Sequence, residues 1–265
     1  MNISITGNLG AGKSSICRHL EQAGYSIISA GSIFRQIAEE RGVSVAELNE
    51  QVGKDMSESG VSPIDALLDE RTARINEEQD GIAFDARLAW AFAKGSYKVF
   101  VCVDIDEAAR RIYSDASRAQ SESYESVAAC REKLLLRQHL ESDRFQTLYH
   151  LDYYDLDNYD LVIDSTHVDP EAVADRILKN STAARGAHLV LVNPQTLSPA
   201  PASQEAADGG SGEVRVIIRG DTWLVTGGWE KVLAAKESGE PFIEVRILPS
   251  TDPDDRSLLH VSGIR

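Results

Sequence analysis

Gly7-Asn8-Leu9-Gly10-Ala11-Gly12-Lys13-Ser14 is the stretch that decides how the rest of the chain is read. It fits Gly-x-x-x-x-Gly-Lys-Ser/Thr, and its flanks give that pattern its meaning. Before it, Asn2-Ile3-Ser4-Ile5-Thr6 alternates polar and apolar side chains as a strand does. After it, Ser14 to Ala23 carries Ile16 and Leu20 four residues apart, one face of a helix. Strand, glycine loop and helix together make a phosphate cradle. Glycines let backbone N–H groups converge on phosphate oxygens, and the helix N-terminus favours an anion. Gly7, Gly10, Ala11, Gly12, Lys13, Ser14 and Ser15 are the expected nucleotide-binding set, with Lys13 reaching the β/γ-phosphates and the Ser14 hydroxyl ligating a magnesium ion.

Further along, strands and helices alternate. Tyr25 to Ser29 reads as a second strand leading into a helix from about Ser32 to Glu40. Ser44-Val45-Ala46-Glu47 has capping-box spacing, and Ser62-Pro63-Ile64-Asp65 repeats it with Pro at the first helical position, which predicts helices over 45–58 and 63–78. Ile82-Ala83-Phe84, Tyr97 to Val103 and Leu161-Val162-Ile163 read as further strands. Residues 106–148 are helical in composition except for a serine-rich interruption at 114–123, expected to be a mobile lid, and Asp169-Pro170-Glu171 opens a last helix. The alternation predicts an α/β fold, a parallel sheet with flanking helices over residues 1–184.

The remainder, 185–265, is expected to be a small α+β domain. A short strand at His188 to Val192 precedes a Pro/Ala/Ser/Gly-rich stretch over 193–212, read as an exposed flexible loop. Val214 to Ile218, Trp223 to Val225, a helix from Trp229 to Ser238 and Phe242 to Leu248 then read as strand, strand, helix, strand.

The 265 residues carry 27 basic and 42 acidic side chains, a net charge of -15. That balance argues against a nucleic-acid partner, although it does not fix the potential inside a cleft. No apolar run approaches the roughly 18 residues of a membrane span, and the N-terminus lacks a secretory pattern, so a cytoplasmic location is expected. Three separated cysteines and six scattered histidines have neither disulfide nor zinc spacing. Cys17 and Cys102 fall on core elements, Asp104 reads as a helix cap, and Tyr149, Tyr153, Tyr154 and Tyr159 among aspartates read as packing residues.

A phosphate loop alone does not separate a GTPase, an ATP-driven machine and a small-molecule kinase. No Asn-Lys-x-Asp guanine-reading sequence is present, and the second strand runs straight into Ser29-Ala30-Gly31-Ser32-Ile33-Phe34-Arg35, where hydroxyl, amide and guanidinium donors stand ready for an acceptor phosphate. With the phosphate loop, this segment, Asp85-Ala86-Arg87-Leu88-Ala89-Trp90, the stretch Arg137 to Asp152 and Tyr159 to Thr166, the chain resembles the cytidylate kinase family, in its compact archaeal-like branch, over residues 1–180. The resemblance implies transfer of the ATP γ-phosphoryl group to CMP or dCMP with magnesium and a closing lid. It also implies that Ser29, Gly31, Arg35, Asp85 and Arg87 line the acceptor pocket, and that Arg118, Arg137 and Arg144, with Arg131 beside them, act from the lid and its following helix. Ala86 stands where the family carries glycine before the pocket arginine.

Residues 187–248, around Gly220 to Lys231, resemble more distantly a ParB-like domain, whose Gly-x-x-Arg motif is Gly228-Trp229-Glu230-Lys231 here. A regulatory or packing role, with a homo-oligomer through this domain left open, is the expectation. Two other functions compete: an ATP-dependent kinase of another small acceptor, and a nucleotide-binding regulatory protein with little turnover.

Overall fold

The computed structural model describes residues 1–59, 62–115, 124–182, 188–201, 212–250 and 257–262. The chain runs β1 (Ile3–Gly7), α1 (Lys13–Gln22), β2 (Ser26–Ser29), α2 (Ala30–Glu40), α3 (Val45–Ser59), α4 (Pro63–Glu78), β3 (Ile82–Asp85), α5 (Ala89–Phe92), β4 (Tyr97–Cys102), α6 (Ile105–Ser114), α7 (Val127–Tyr149), β5 (Leu161–Asp164) and α8 (Pro170–Ser181). It continues through β6 (Leu189–Val192), β7 (Leu197–Pro199), β8 (Arg215–Arg219), β9 (Thr222–Gly227), α9 (Trp229–Ser238), β10 (Ile243–Glu244) and β11 (Arg246–Ile247). Capping is as the sequence predicts at Ser44, whose hydroxyl and N–H exchange hydrogen bonds with Glu47. Ser62 accepts from the Ile64 N–H, but Asp65 turns away to Arg144.

Among the described residues the main sheet has the order β10-β6-β5-β4-β1-β3-β2, parallel throughout except for β10. β1 lies between β4 and β3, so the strand order reverses beside the phosphate loop. At such a point the loops after neighbouring strands part and leave a crevice.

Alternation along the central strands sets the two faces of this sheet. Val99, Val101, Leu161, Ile163 and Leu191 point to one side, where they pack with Ile16, Leu20, Ala108, Ile112, Leu134 and Ile177 of the helices. Phe100, Cys102, Val162, Val190 and Val192 point to the other, against Tyr153, Tyr154, Tyr159 and the second sheet. The three tyrosines are fully buried, and Cys17 and Cys102 are buried free thiols. A separate small core, Ile33, Ile37, Leu48 and Ile64, holds α2, α3 and α4 together.

The closing segment, expected as a small α+β domain, shares strands with the main sheet. β6 adds in parallel to β5, and β10 adds antiparallel to β6, so both belong to the main sheet. The expected closing strand, Phe242 to Leu248, is divided: β10 goes to the main sheet and β11 to a second sheet of order β11-β8-β9-β7. Val245, between them, is buried and donates its N–H to the Val190 carbonyl at 3.0 Å. The expected loop over 193–212 also begins as structure. Pro194 to Thr196 form a 3-10 turn capped by Asn193, and β7 pairs with β9. Buried Pro194, Leu197 and Ala200 explain why this proline-rich start is ordered. No helix among the described residues is long and apolar enough to cross a membrane.

Candidate active site

The phosphate loop has its shape because neighbours leave room for nothing larger. A Cβ on Gly7 would lie 2.0 Å from the Val101 carbonyl oxygen of β4, and one on Gly10 would lie 2.8 Å from the Ala108 methyl of α6. Gly12 is different: its φ of 77° is left-handed, and nothing stands within 4 Å of where its Cβ would be. The open space lies at the N-terminus of α1, where unpaired N–H groups favour an anion. A cleft of about 610 Å³ opens there, bounded by the loop, Ser14, Ser15, Arg111 and Pro170.

Lys13 folds back into the loop, donating to the carbonyls of Gly7 (3.1 Å) and Asn8 (3.0 Å). Burial, reinforced by the Arg87 guanidinium, pulls its ammonium down to about 7, against partial support from Asp85 and Glu141. Arg87 donates to the same Gly7 carbonyl at 2.5 Å and faces Glu141 at 3.3 Å. Glu141 in turn accepts from Arg137 Nε at 3.0 Å. A relay of charges thus runs from Lys13 through one carbonyl to Arg87, Glu141 and Arg137. The β3–α5 connection that carries Arg87 is tied down by Thr6, whose hydroxyl reaches the carbonyls of Ala86 and Arg87, both at 3.2 Å. Alanine in place of the family's glycine leaves that tether intact.

On the far side of β1, Ser29 and Asp85 are register partners at the ends of β2 and β3. Ser29 caps α2 in a reciprocal pair with Ser32. A Cβ on Gly31 would stand 3.6 Å from Arg35 Nη1, so the guanidinium lies over this glycine; Arg35 makes no ion pair among the described residues. Arg144 is held by Asp65 of α4 at 2.6 Å, two turns beyond Arg137 on α7. Arg131 is placed elsewhere, between Asp106 (2.8 Å) and Asp221 (3.4 Å), away from the relay. Arg118 and most of the expected lid lie outside the described residues. Asp104 caps α6 by accepting from the Glu107 N–H.

Two participants escaped the sequence reading. Arg111 lines the donor cleft, with Nη2 on the Ser165 carbonyl at 2.8 Å and Nη1 3.4 Å from the Gly10 carbonyl. Glu141 reads in sequence only as a helical partner of Arg137, four residues away. The signal for Arg111 was its place on the helix that follows the strand beside β1; its neighbours show only an ordinary amphipathic helix.

The donor set suits magnesium of one kind. Among the described residues no three His, Cys, Asp or Glu side chains cluster to hold a metal. Ser14, exposed on the first turn of α1, has a hydroxyl with no protein partner among them. A magnesium ion that keeps its waters and takes phosphate oxygens as its other ligands asks for no more.

Known proteins are similar to about two-thirds of the chain. A 33%-identical relative, a cytidylate kinase of Methanothermobacter thermautotrophicus, aligns over 65% of this chain and 99% of its own length. A cytidylate kinase of Ignicoccus hospitalis is 34% identical over 66% of this chain and 95% of its own. Among solved structures, a shikimate kinase of Bacteroides thetaiotaomicron matches at a TM-score of 0.46 and 14% identity, over 68% of this chain and 97% of that one. The model of the cytidylate kinase-like family matches residues 2–167, a span that holds the phosphate loop, Arg87, Arg137 and Glu141 in order, and the chain belongs to that family.

Proposed function

We propose that the chain is a nucleoside monophosphate kinase that transfers the γ-phosphoryl group of ATP to CMP or dCMP, giving ADP and CDP or dCDP. The observation that carries this reading is the meeting of Lys13 and Arg87 at the Gly7 carbonyl. One cation belongs to the donor cradle and the other to the relay that ends at Arg137. A transferring phosphoryl group needs positive charge from both sides at one point.

An oxygen of the acceptor's phosphate attacks the γ-phosphorus while the bond to the β,γ-bridging oxygen breaks, and ADP leaves with that oxygen. The nucleophile comes with the acceptor, so the protein contributes placement and charge rather than a covalent intermediate. Gly7, Gly10, Ala11, Gly12, Ser14 and Ser15 wrap the donor phosphates. Lys13 leaves its carbonyl partners for the β/γ-phosphates, whose charge favours its protonated form. Arg35, Arg87 and Arg137 hold the acceptor phosphate, with Ser29, Gly31 and Asp85 at the pocket wall, and Arg144 and Arg118 add charge as the site closes. Ser14 would hold magnesium, which would supply charge neutralisation of the donor phosphates.

The test is ADP release from ATP and magnesium against CMP, dCMP, UMP, AMP, GMP and non-nucleotide acceptors. Turnover that depends on CMP or dCMP is the expected result. Equal ATP loss without acceptor, or preference for another acceptor, overturns it.

A further inference from the structure

α7 carries the acceptor-side groups Arg137, Glu141 and Arg144, and interleaved with them Cys130, Leu134 and Gln138, which are buried and spaced by four. Gln138 shares a cavity with the closing segment, which the family match to residues 2–167 does not reach. The tip of the β8–β9 hairpin brings Asp221 to Arg131, the cation one turn before Leu134, while Asp106 of α6 holds the same guanidinium from the other direction. Beside this contact a small cavity of about 50 Å³ is bounded by Asn8 of the phosphate loop, Gln138, Asp221 and Trp223. The closing segment is anchored there by a second, independent tie. Asp164, fully buried at the end of β5, accepts from the Asn193 N–H (3.2 Å) and the Thr196 hydroxyl (3.0 Å). The hairpin therefore bears on α7 from a base fixed to the kinase sheet.

We propose that the β8–β9 hairpin sets the position of α7, with Asp221 as a positioning residue that acts through Arg131 on the acceptor-side groups Arg137, Glu141 and Arg144. A helix moves as a body, so slack at Arg131 shifts Arg137 less than two turns away. Donor groups lie on the phosphate loop and α6 and keep their places. The effect falls on the acceptor. This inference rests on the proposed reading of the site as an acceptor-phosphate pocket.

The test compares the full chain with Asp221→Ala, Arg131→Ala and the double variant, following KM for CMP, KM for ATP, kcat and melting temperature. An exposed ion pair is a small lever, so KM for CMP is expected to rise about two- to fivefold in each single variant. The double variant should be no worse than either. KM for ATP and kcat hold in Asp221→Ala, and Asp221→Glu recovers the acceptor KM. Should Asp221→Ala fail to fold, Asp221→Asn keeps the shape, removes the charge and carries the same readings. An unchanged acceptor KM overturns the positioning role, as do additive effects in the double variant. So does a parallel shift of kcat and both KM values with melting temperature. Absence of CMP-dependent turnover in the unaltered chain overturns the proposed function itself and is seen before any variant is made.

Discussion

In the phosphate loop the glycines stand where the sequence motif puts them. Gly7 faces a carbonyl of the adjacent strand, Gly10 faces a helix methyl, and Gly12 turns left-handed over open space. In the segment from Leu189 onward, consecutive strands part company: β6 joins one sheet, β7 the other, and a single buried residue, Val245, separates β10 of the first from β11 of the second. The strand–turn–helix pattern of the loop is written within a dozen residues, even though the contacts that demand Gly7 and Gly10 come from Val101 and Ala108. Structure in the closing segment is dictated by a surface built from residues far away, the Phe100, Tyr154 and Val162 face of the sheet.

That contrast is broken most severely by removing everything after residue 182. The cut strips Val190, Val192, Leu197, Val216, Trp223 and Val225 from a shared core. At about 1.5–3 kcal/mol for each large apolar side chain, the exposed partners outweigh the roughly 5–15 kcal/mol by which a domain is stable. The truncated chain is expected to lose its cooperative melting transition and to elute as aggregate. A monomer of residues 1–182 melting near the full chain would show two independent domains after all.

Lys13→Ala strikes the other region and does the reverse. Phosphoryl transfer should fall by about 10²–10³-fold or more in the ADP-release assay, as for loss of one strong transition-state contact. The melting temperature should hold or rise, because the substitution removes a desolvated cation beside Arg87. Activity within tenfold of the unaltered chain would remove Lys13 from its assigned role.

Within the loop, Gly12→Ala carries conformational strain alone, whereas Gly7→Ala, at a φ of 150°, adds a backbone clash to such strain. A methyl on Gly7 meets backbone that cannot swing aside, so a loss of about 1–3 kcal/mol or more is expected. At Gly12 the methyl has room and only the left-handed strain remains, about 1–2 kcal/mol. Denaturant melts of the two variants should rank Gly7→Ala below Gly12→Ala. Equal losses would mean that close approach to Val101 is not what demands glycine.

How much of this was legible follows from the range of each interaction. The β1–α1 unit and the Asp104 cap are local patterns, and each appears where the sequence puts it, whereas α2 starts at Ala30 under a Ser29 cap, ahead of the expected Ser32. Placing Arg87 beside the loop needed the resemblance to a family, since residues 80 apart reveal their meeting at the Gly7 carbonyl only once β3 lies against β1. Arg131 and Arg137 look alike in sequence, yet one helix turn and a half sends the first to the hairpin and the second to Glu141. How the closing segment pairs was hidden for the same reason: four apolar residues at 189–192 announce a strand but not which sheet receives it.

The gentlest test leaves the sequence alone and varies pH. With the Lys13 ammonium pulled down to about 7 in the free protein and an ordinary value of 10.5 when unfolded, the unfolded chain binds more protons between those limits. Stability contributed by this group therefore rises with pH across that window and is least favourable below it. Nucleotide binding runs the opposite way. Donor phosphates favour the charged amine, so binding takes up a proton, and ATP affinity should fall as pH climbs from 7 toward 9, by at most tenfold per pH unit. Lys13→Arg keeps its charge throughout that range. Titration calorimetry of both proteins, in buffers of different ionisation enthalpy, isolates the Lys13 share from protons that belong to ATP. The unaltered chain should take up more protons than Lys13→Arg at pH 8. Equal uptake would place the Lys13 pKa well above 7, and the cradle would then hold a lysine already charged before any phosphate arrives.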